Sequence, residues 1–285
     1  MLSDISTFLD YKTARQEYDS NGMYRGAVNV YSMFSPAYVC SNESVGGLSQ
    51  LLNPSGKTVL AVAGSGDVPL VFHVSGARQV DTFDISFNAY LAMRVKIAML
   101  QSGMPLDEYR GCLKSMQSWG NFFVNEKVTN IIHQSLNANE LKYLDGMYGC
   151  GIVRDIRSKS WFPHSETYKL MQQNVPNSYK FIRSDIDSVF KYITGQSYDI
   201  IYLSNVMDYI VDDIVHEPDE SKIVSVLERF TKHLNRRGVI VVNSLMRPIR
   251  KYDIQFYKNN IAEQLKNYGD MVYSKREKVM LLKTR

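Results

Sequence analysis

The sequence predicts an α/β protein built on a mostly parallel sheet, and three observations predict it. From residue 58 onward, short runs with the pattern of buried strands alternate with segments of helix length. A glycine turn, Gly64-Ser65-Gly66, joins the first strand to the first of these helices. The chain closes on two short segments joined by Arg276-Glu277-Lys278. They read as an antiparallel hairpin, which makes the edge of the sheet mixed.

The elements follow in order. Residues 1–50 read as a helical N-terminal segment, with a helix at 2–19 and an aromatic-rich stretch (Tyr24, Tyr31, Phe34, Tyr38) broken by Pro36. The sheet domain spans 51–285. Its first strand is 59–63, a helix follows at 68–75, and a second strand at 79–83 ends on Asp84. Ser86 or Asn88 can start the next helix, where Leu91, Val95, Ala98 and Met99 recur at helical spacing. Residues 103–176 then interrupt the rhythm. They are too many for an ordinary connection and are helical in pattern at 106–116, 122–135 and 139–147. An insertion of this size reads as a lid or substrate-recognition element, and it carries Arg154, Asp155, Arg157, Trp119, Trp161 and His164. Strands resume at 179–182, with Asp185 just beyond, and at 199–204. A helix at 221–234, a turn at 235–238 and a strand at 239–243 follow. A helix at about 252–267 then precedes the closing segments, 271–275 and 279–283.

Composition narrows the class. With 285 residues the chain can bury a large core. Its apolar runs fall far short of the roughly 20 residues that span a bilayer. The N-terminus lacks a basic start and an apolar block, so a cytoplasmic location is the expectation. Cys40, Cys112 and Cys150 are scattered and odd in number, which argues for buried free thiols and against disulfides or structural zinc. The five histidines show no metal-ligand spacing, so no metal is expected. The net charge of +4 hides an asymmetry: residues 229–285 hold 14 Lys/Arg and 4 Asp/Glu. A basic end can face an anionic partner. It reads more simply as a solvated helix face and a lysine-rich edge strand, and no RNA-binding module accompanies it.

Residues 57–84 carry the chemistry. Glycines allow turn angles that other residues resist, the next helix offers unpaired N–H groups to an anionic ligand, and an acid after the second strand can accept both hydroxyls of a ribose. No lysine follows Gly66 in the manner of a phosphate loop, so ATPase or kinase chemistry is disfavoured. Pro69 stands where a nicotinamide-binding turn would place its third glycine. Simpler roles stand beside these. Asp84 can cap the next helix, Asp185 can cap residues 188–193, and Asp199 can be structural. Asn205, Asp208 and Tyr209 follow the 199–204 strand at its carboxyl end, where open α/β sheets place ligands.

The turn AGSGD, Asp84 eighteen residues after Gly66, Asp185 after the third strand and the closing hairpin resemble the class I S-adenosylmethionine-dependent methyltransferases. The resemblance covers 57–84 and 179–283 and leaves the insertion unmatched. It implies a Rossmann-like, seven-stranded mixed sheet with the last strand antiparallel, flanked by helices. It also implies S-adenosyl-L-methionine as cofactor. Ala63, Gly64, Ser65 and Gly66 would line the methionine end with Asp67 near them, Asp84 with Ile85 would meet the ribose, and Asp185 with Ile186 the adenine. Ser204 and Asn205 would lie close to the sulfonium. A narrower similarity, in VLAVAGSGDVPL, GARQVDTFDIS and YDIIYLSNVMDYI, is to the family of betaine-lipid 3-amino-3-carboxypropyl transferases, which move the cofactor's amino acid arm.

These resemblances imply a transferase acting by direct in-line displacement. Methyl transfer to a small-molecule acceptor is the first expectation, with aminocarboxypropyl transfer to an amine or hydroxyl as the alternative. A module that binds the cofactor without turnover is a third reading. Asn205, Asp208 and Tyr209 are the catalytic candidates. Tyr24, Arg25, Tyr31, Arg154, Trp161 and His164 are the acceptor-binding candidates.

Overall fold

The computed structural model describes residues 40–41, 43–115, 126–141, 161–177, 179–210, 220–244, 257–260 and 278–283. The sheet is formed by β1 (Thr58–Val62), β2 (Gln79–Asp84), β3 (Lys180–Arg183), β4 (Tyr198–Tyr202), β5 (Leu234–Ser244), β6 (Tyr257–Asn260) and β7 (Lys278–Lys283). Their spatial order is β3-β2-β1-β4-β5-β7-β6. Neighbours from β3 to β5 pair in parallel, whereas β7 lies antiparallel to both β5 and β6. Six strands therefore run one way and β7 the other. This is the mixed sheet that the alternating pattern and the closing segments predict, with the antiparallel last strand that the family resemblance implies.

The helices are α1 (Val45–Leu52), α2 (Asp67–Val74), α3 (Phe87–Gln101), α4 (Leu106–Ser115), α5 (Glu126–Ser135), α6 (Ser165–Asn174) and α7 (Glu220–Thr231). Successive strand residues point to opposite faces, and β1 shows the result. Val59 and Ala61 join one core with α1 to α6, and Leu60 joins the other with α7. Val59, Leu60 and Ala61 are all fully buried. Burying an aliphatic side chain of valine or leucine size contributes about 1.5–3 kcal/mol, so a strand covered on both faces is the natural centre of the sheet.

The described helices of the 103–176 insertion are part of this same core. Tyr109, Leu113, Val128, Ile132, Trp161, Tyr168 and Met171 all pack into it. Arg94 of α3 fastens them further, donating to Glu140, to the Ser135 carbonyl and to the Asn177 carbonyl, each at 3.0 Å.

Two expected elements take a different form. The helix expected at about 252–267 gives way at its centre to β6, whose residues pair with β7 from Tyr257↔Lys283 to Asn260↔Met280. An open strand edge on β7 supplies hydrogen bonds that outweigh local helical spacing. The partner expected for the last strand, 271–275, lies outside the described residues, and β7 is bracketed by β5 and β6 instead. The turn expected at 235–238 is absorbed into β5 as an irregularity. Tyr198 pairs with Leu234 and Ile200 with Val239, and Arg237 is forced to φ +70°.

The amino ends of the strands are closed by structural polar groups. Asp199 accepts the Thr58 N–H at 2.8 Å and the Asn235 amide at 2.9 Å, the structural role expected of it. Buried Asp81 accepts the Tyr198 hydroxyl at 2.9 Å and Lys180 Nζ at 3.1 Å. The opposite, carboxyl end of the strands is where open α/β sheets place ligands.

Candidate functional site

At that end the strand order changes direction between β1 and β4, the place where open α/β sheets form a crevice. The glycine turn leaves β1 here. Gly64 and Gly66 both adopt left-handed backbone angles, φ +51° and +82°. Their reasons differ. A Cβ on Gly66 would stand 2.3 Å from Met93 Cγ, so that glycine is dictated by the packing of α3. A Cβ on Gly64 would meet nothing within 4 Å, so the space beside it is open to a ligand.

Asp84 braces this turn from the end of β2. Its Oδ2 accepts the Gly64 N–H at 3.0 Å, and its Oδ1 accepts the Ser86 N–H at 2.9 Å. Burial pushes its carboxyl up from 3.8 to about 6, opposed by hydrogen bonds from the Ser86, Gly64 and Ile85 backbones. One carboxylate thus caps the start of α3 and ties β2 to the turn. Each of its oxygens has capacity for a further donor.

Asp67, the first residue of α2, is turned inward. It is 1% exposed and its Oδ1 forms an ion pair of 2.5 Å with Lys96, whose side chain is also buried. Its Oδ2 accepts the Ser41 N–H at 2.7 Å and the Ser65 hydroxyl at 3.0 Å, and Lys96 donates to the Ser65 carbonyl at 2.9 Å. The group locks the glycine turn from beneath. It also fastens a strap formed by residues 40–41 and 43–44, and the Trp161 backbone N–H holds that strap through the Ser41 carbonyl at 2.7 Å. Burial pushes the Cys40 thiol in the strap up to about 12, so it is a neutral packing group, and Cys112 is likewise a buried free thiol. Cys150 lies outside the described residues.

The far end of the strap carries Glu43, which is 4% exposed. Its Oε1 accepts the Ser204 hydroxyl at 3.0 Å and the Asn243 side-chain amide at 2.9 Å. Ser204 follows β4 with φ +51°, and its carbonyl accepts the Asn243 N–H at 2.7 Å. A non-glycine residue held in this region marks a site whose surroundings over-determine it. Asn205 is next in line, half-buried, opening a short 3-10 helix, Val206–Tyr209. Asp208 and Tyr209 are on that turn, so the backbone brings all three catalytic candidates to the end of β4.

The remaining candidates are more dispersed. Asp185 is exposed and its Oδ1 caps a 3-10 turn by accepting the Ser188 N–H at 2.7 Å, with Ile186 beside it, half-buried. Trp161 is buried in the core at 3% exposure, and His164 is exposed at the start of α6. Tyr24, Arg25, Tyr31 and Arg154 lie outside the described residues. Among the described residues no cluster of side chains is suited to a metal ion, and no helix is long and apolar enough to cross a membrane.

Three residues of this arrangement were not singled out by sequence reasoning. Lys96 had a usable signal: it sits four residues from both Ala92 and Leu100 in an apolar helix, so a partner acid was to be expected. Glu43 and Asn243 had none, because nothing local marks a loop glutamate or a strand asparagine as belonging together.

No family model matches the chain and no curated protein matches it. Solved structures do. The rRNA methyltransferase AviRa from Streptomyces viridochromogenes is 12% identical with a TM-score of 0.45, covering 96% of both chains. Magnesium protoporphyrin IX methyltransferase from Synechocystis PCC 6803, solved with S-adenosylmethionine bound, is 12% identical at a TM-score of 0.39, covering 98% of this chain and 99% of that one. A ribosomal protein L11 methylase from Lactobacillus delbrueckii subsp. bulgaricus is 13% identical at a TM-score of 0.33, covering 85% of this chain and 76% of that one.

Proposed function

We propose that this chain is an S-adenosylmethionine-dependent transferase that moves a methyl group to a small-molecule acceptor by direct in-line displacement. One observation carries the reading: the left-handed turn at Gly64, with open space beside it, is braced by a carboxylate at the end of the neighbouring parallel strand. The residues present fit the donor. Gly64 leaves room for it, and Asp84 keeps acceptor capacity for two ribose hydroxyls while held by backbone donors. Ile85 and Ile186 supply apolar edges. Asp185 is assigned to the adenine beside its capping role. Ser65 and Asp67 hold the turn's shape from below.

The sulfonium of the donor supplies an activated methyl group and a good leaving group. An acceptor lone pair forms the new bond to that carbon, and the carbon–sulfur pair returns to sulfur. Any acceptor proton passes to solvent or to a base. The protein's task is then to orient the reactants and exclude water, an effect worth about 7–11 kcal/mol when alignment is good. Asn205, Asp208 and Tyr209 are assigned to the acceptor side of the β4 end. Tyr24, Arg25, Tyr31, Arg154, Trp161 and His164 are assigned to acceptor recognition.

Mass spectrometry of the nucleoside formed from S-adenosylmethionine in the presence of cell extract tests this. S-adenosylhomocysteine is the expected product. Methylthioadenosine alone would instead identify transfer of the amino acid arm. Saturable binding with neither product would reduce the protein to a binding module.

A further inference from the structure

We propose that the amino end of β4 and β5 carries a binding site for single-stranded nucleic acid, built from Lys191, Tyr192, Lys232, Arg236 and Arg237. Two stretches form it: residues 188–197, which lead into β4, and residues 228–238, which end α7 and begin β5. Packing holds them side by side. The His233 ring lies 5.8 Å from the Phe190 ring, and its Nδ1 is 3.1 Å from the Gln196 carbonyl oxygen. The Arg229 guanidinium lies 3.9 Å from the centre of the Phe190 ring, and the Tyr198 N–H donates to the His233 carbonyl at 2.8 Å. Lys191 and Tyr192 on one stretch are thereby brought beside Lys232, Arg236 and Arg237 on the other, and all of these residues are exposed. Because β1, β4 and β5 run parallel, this end is opposite to the glycine turn, and the inference does not rest on the donor assignment.

Three observations point to a polyanion with accessible bases. First, the charge here is almost all of one sign and is unpaired. The two stretches hold Lys191, Arg229, Lys232, Arg236 and Arg237 against one acid, Glu228. Among the described residues no ion pair engages Lys191, Lys232, Arg236 or Arg237. The acids nearby are committed inward, Asp81 to Lys180 and the Tyr198 hydroxyl, and Asp199 to the Thr58 N–H and the Asn235 amide. Exposed cations in this state suit phosphates, because each contact releases condensed counterions, and the arginine fork matches phosphate oxygens in pairs. Second, Arg237 is held at φ +70° with Gly238 beside it. Glycine takes that angle without strain, so an arginine kept there is a strained residue of the kind that clusters at ligand sites. Third, Tyr192 is 57% exposed next to Lys191. An aromatic face among cations is a platform on which an unpaired base stacks. A bilayer surface would call for an apolar helix face to insert, and this end presents Tyr192 alone. Leu170, the other exposed large apolar side chain among the described residues, is on α6, whose core lies across the sheet from that of Phe190 and Phe230.

Fluorescence anisotropy with a fluorescein-labelled oligouridylate of about 15 nucleotides tests this. Phosphates neutralised by Lys191, Lys232, Arg236 and Arg237 give a log–log salt slope of about −2.8, so wild-type affinity should fall about 50-fold between about 50 and 200 mM salt. Lys232→Glu combined with Arg236→Glu should weaken binding by more than about tenfold, and Tyr192→Ala by about five- to tenfold. Arg237→Gly should lose about threefold in affinity while its thermal melt stays level or rises, a combination that a merely structural arginine would not give. Lys169→Glu, exposed on α6 across the sheet, should change affinity by less than about twofold. Absence of binding by the wild-type chain at about 50 mM salt, a loss in Lys169→Glu equal to that in the double variant, or unchanged affinity in Tyr192→Ala would overturn the inference. So would binding to phosphatidylserine–phosphatidylcholine vesicles in place of the RNA, which would give this face to a lipid surface.

Discussion

The two halves of the crevice are built by different means. The β1–β2 half draws its turn and its acid from residues 20 positions apart, Gly64 and Asp84, joined by one hydrogen bond. The β4–β5 half joins Glu43 to Ser204 and Asn243 across 161 and 200 positions. The first is a local motif that any strand–turn–helix–strand unit can carry. The second exists only when the strap, two strands and the sheet order are all in place. An arrangement made this way couples a portable turn to a chain-specific wall.

Asp67, paired with Lys96, ties the strap to the glycine turn through Ser41, and the largest predicted effect falls there. Lys96→Met leaves Asp67 buried without its cation and is expected to destabilise the fold by about 3–5 kcal/mol in urea denaturation. A loss below about 1 kcal/mol would show that the ion pair does not fasten the turn.

The two glycines separate packing from ligand space. Gly66→Ala combines a left-handed angle with a Cβ 2.3 Å from Met93 Cγ and 3.2 Å from Met93 Cα. It should destabilise by about 2–3 kcal/mol. Gly64→Ala carries only the backbone penalty of about 1–2 kcal/mol, and calorimetry should show its main effect as weaker donor binding. If the two variants behave alike, the space beside Gly64 is not a ligand site.

Asp84 sharpens the local half. Asp84→Ala is expected to weaken S-adenosylmethionine binding by about 1–3 kcal/mol. The carboxyl also has a pH signature. Folding raises its pKa from 3.8 to about 6, so the folded chain keeps a proton that the unfolded chain releases in that window. Its contribution to stability therefore falls as pH rises through the window and is constant above it. Donor binding to the ionised form runs oppositely: affinity should rise through about pH 6 and level off above. Affinity that is flat from pH 5 to 7 would argue against a ribose contact. The smallest effect belongs to Asp185→Ala, where loss of the Ser188 cap should lower stability by about 1 kcal/mol in a thermal melt. Unchanged donor affinity in that variant would leave capping as its whole role.

Much of the fold was legible in the sequence because it rests on short-range rules. Apolar runs with turn residues between them located β1, β2 and β4 closely, and the AGSGD turn and Asp84 were both visible as a strand-to-helix turn with an acid after the next strand. Reading failed where pairing outvoted local pattern. Residues 257–260 have the spacing of a helix, yet they form an edge strand because β7 presents an open edge. The packing demand on Gly66 was also out of reach, since the Met93 side chain that a Cβ there would meet lies 27 residues further on.

The sequence by itself determined the α/β class, the strand–turn–helix order and the glycine turn with its following acid in residues 57–84, since each depends on neighbours within one supersecondary unit. Only the tertiary structure decided that Asp67 is neutralised by Lys96, that the described insertion helices complete the core, and that Glu43 meets Ser204 and Asn243. The physical reason is that burial, ion pairing and convergence at a strand end are properties of distance in space, and sequence separation records none of them.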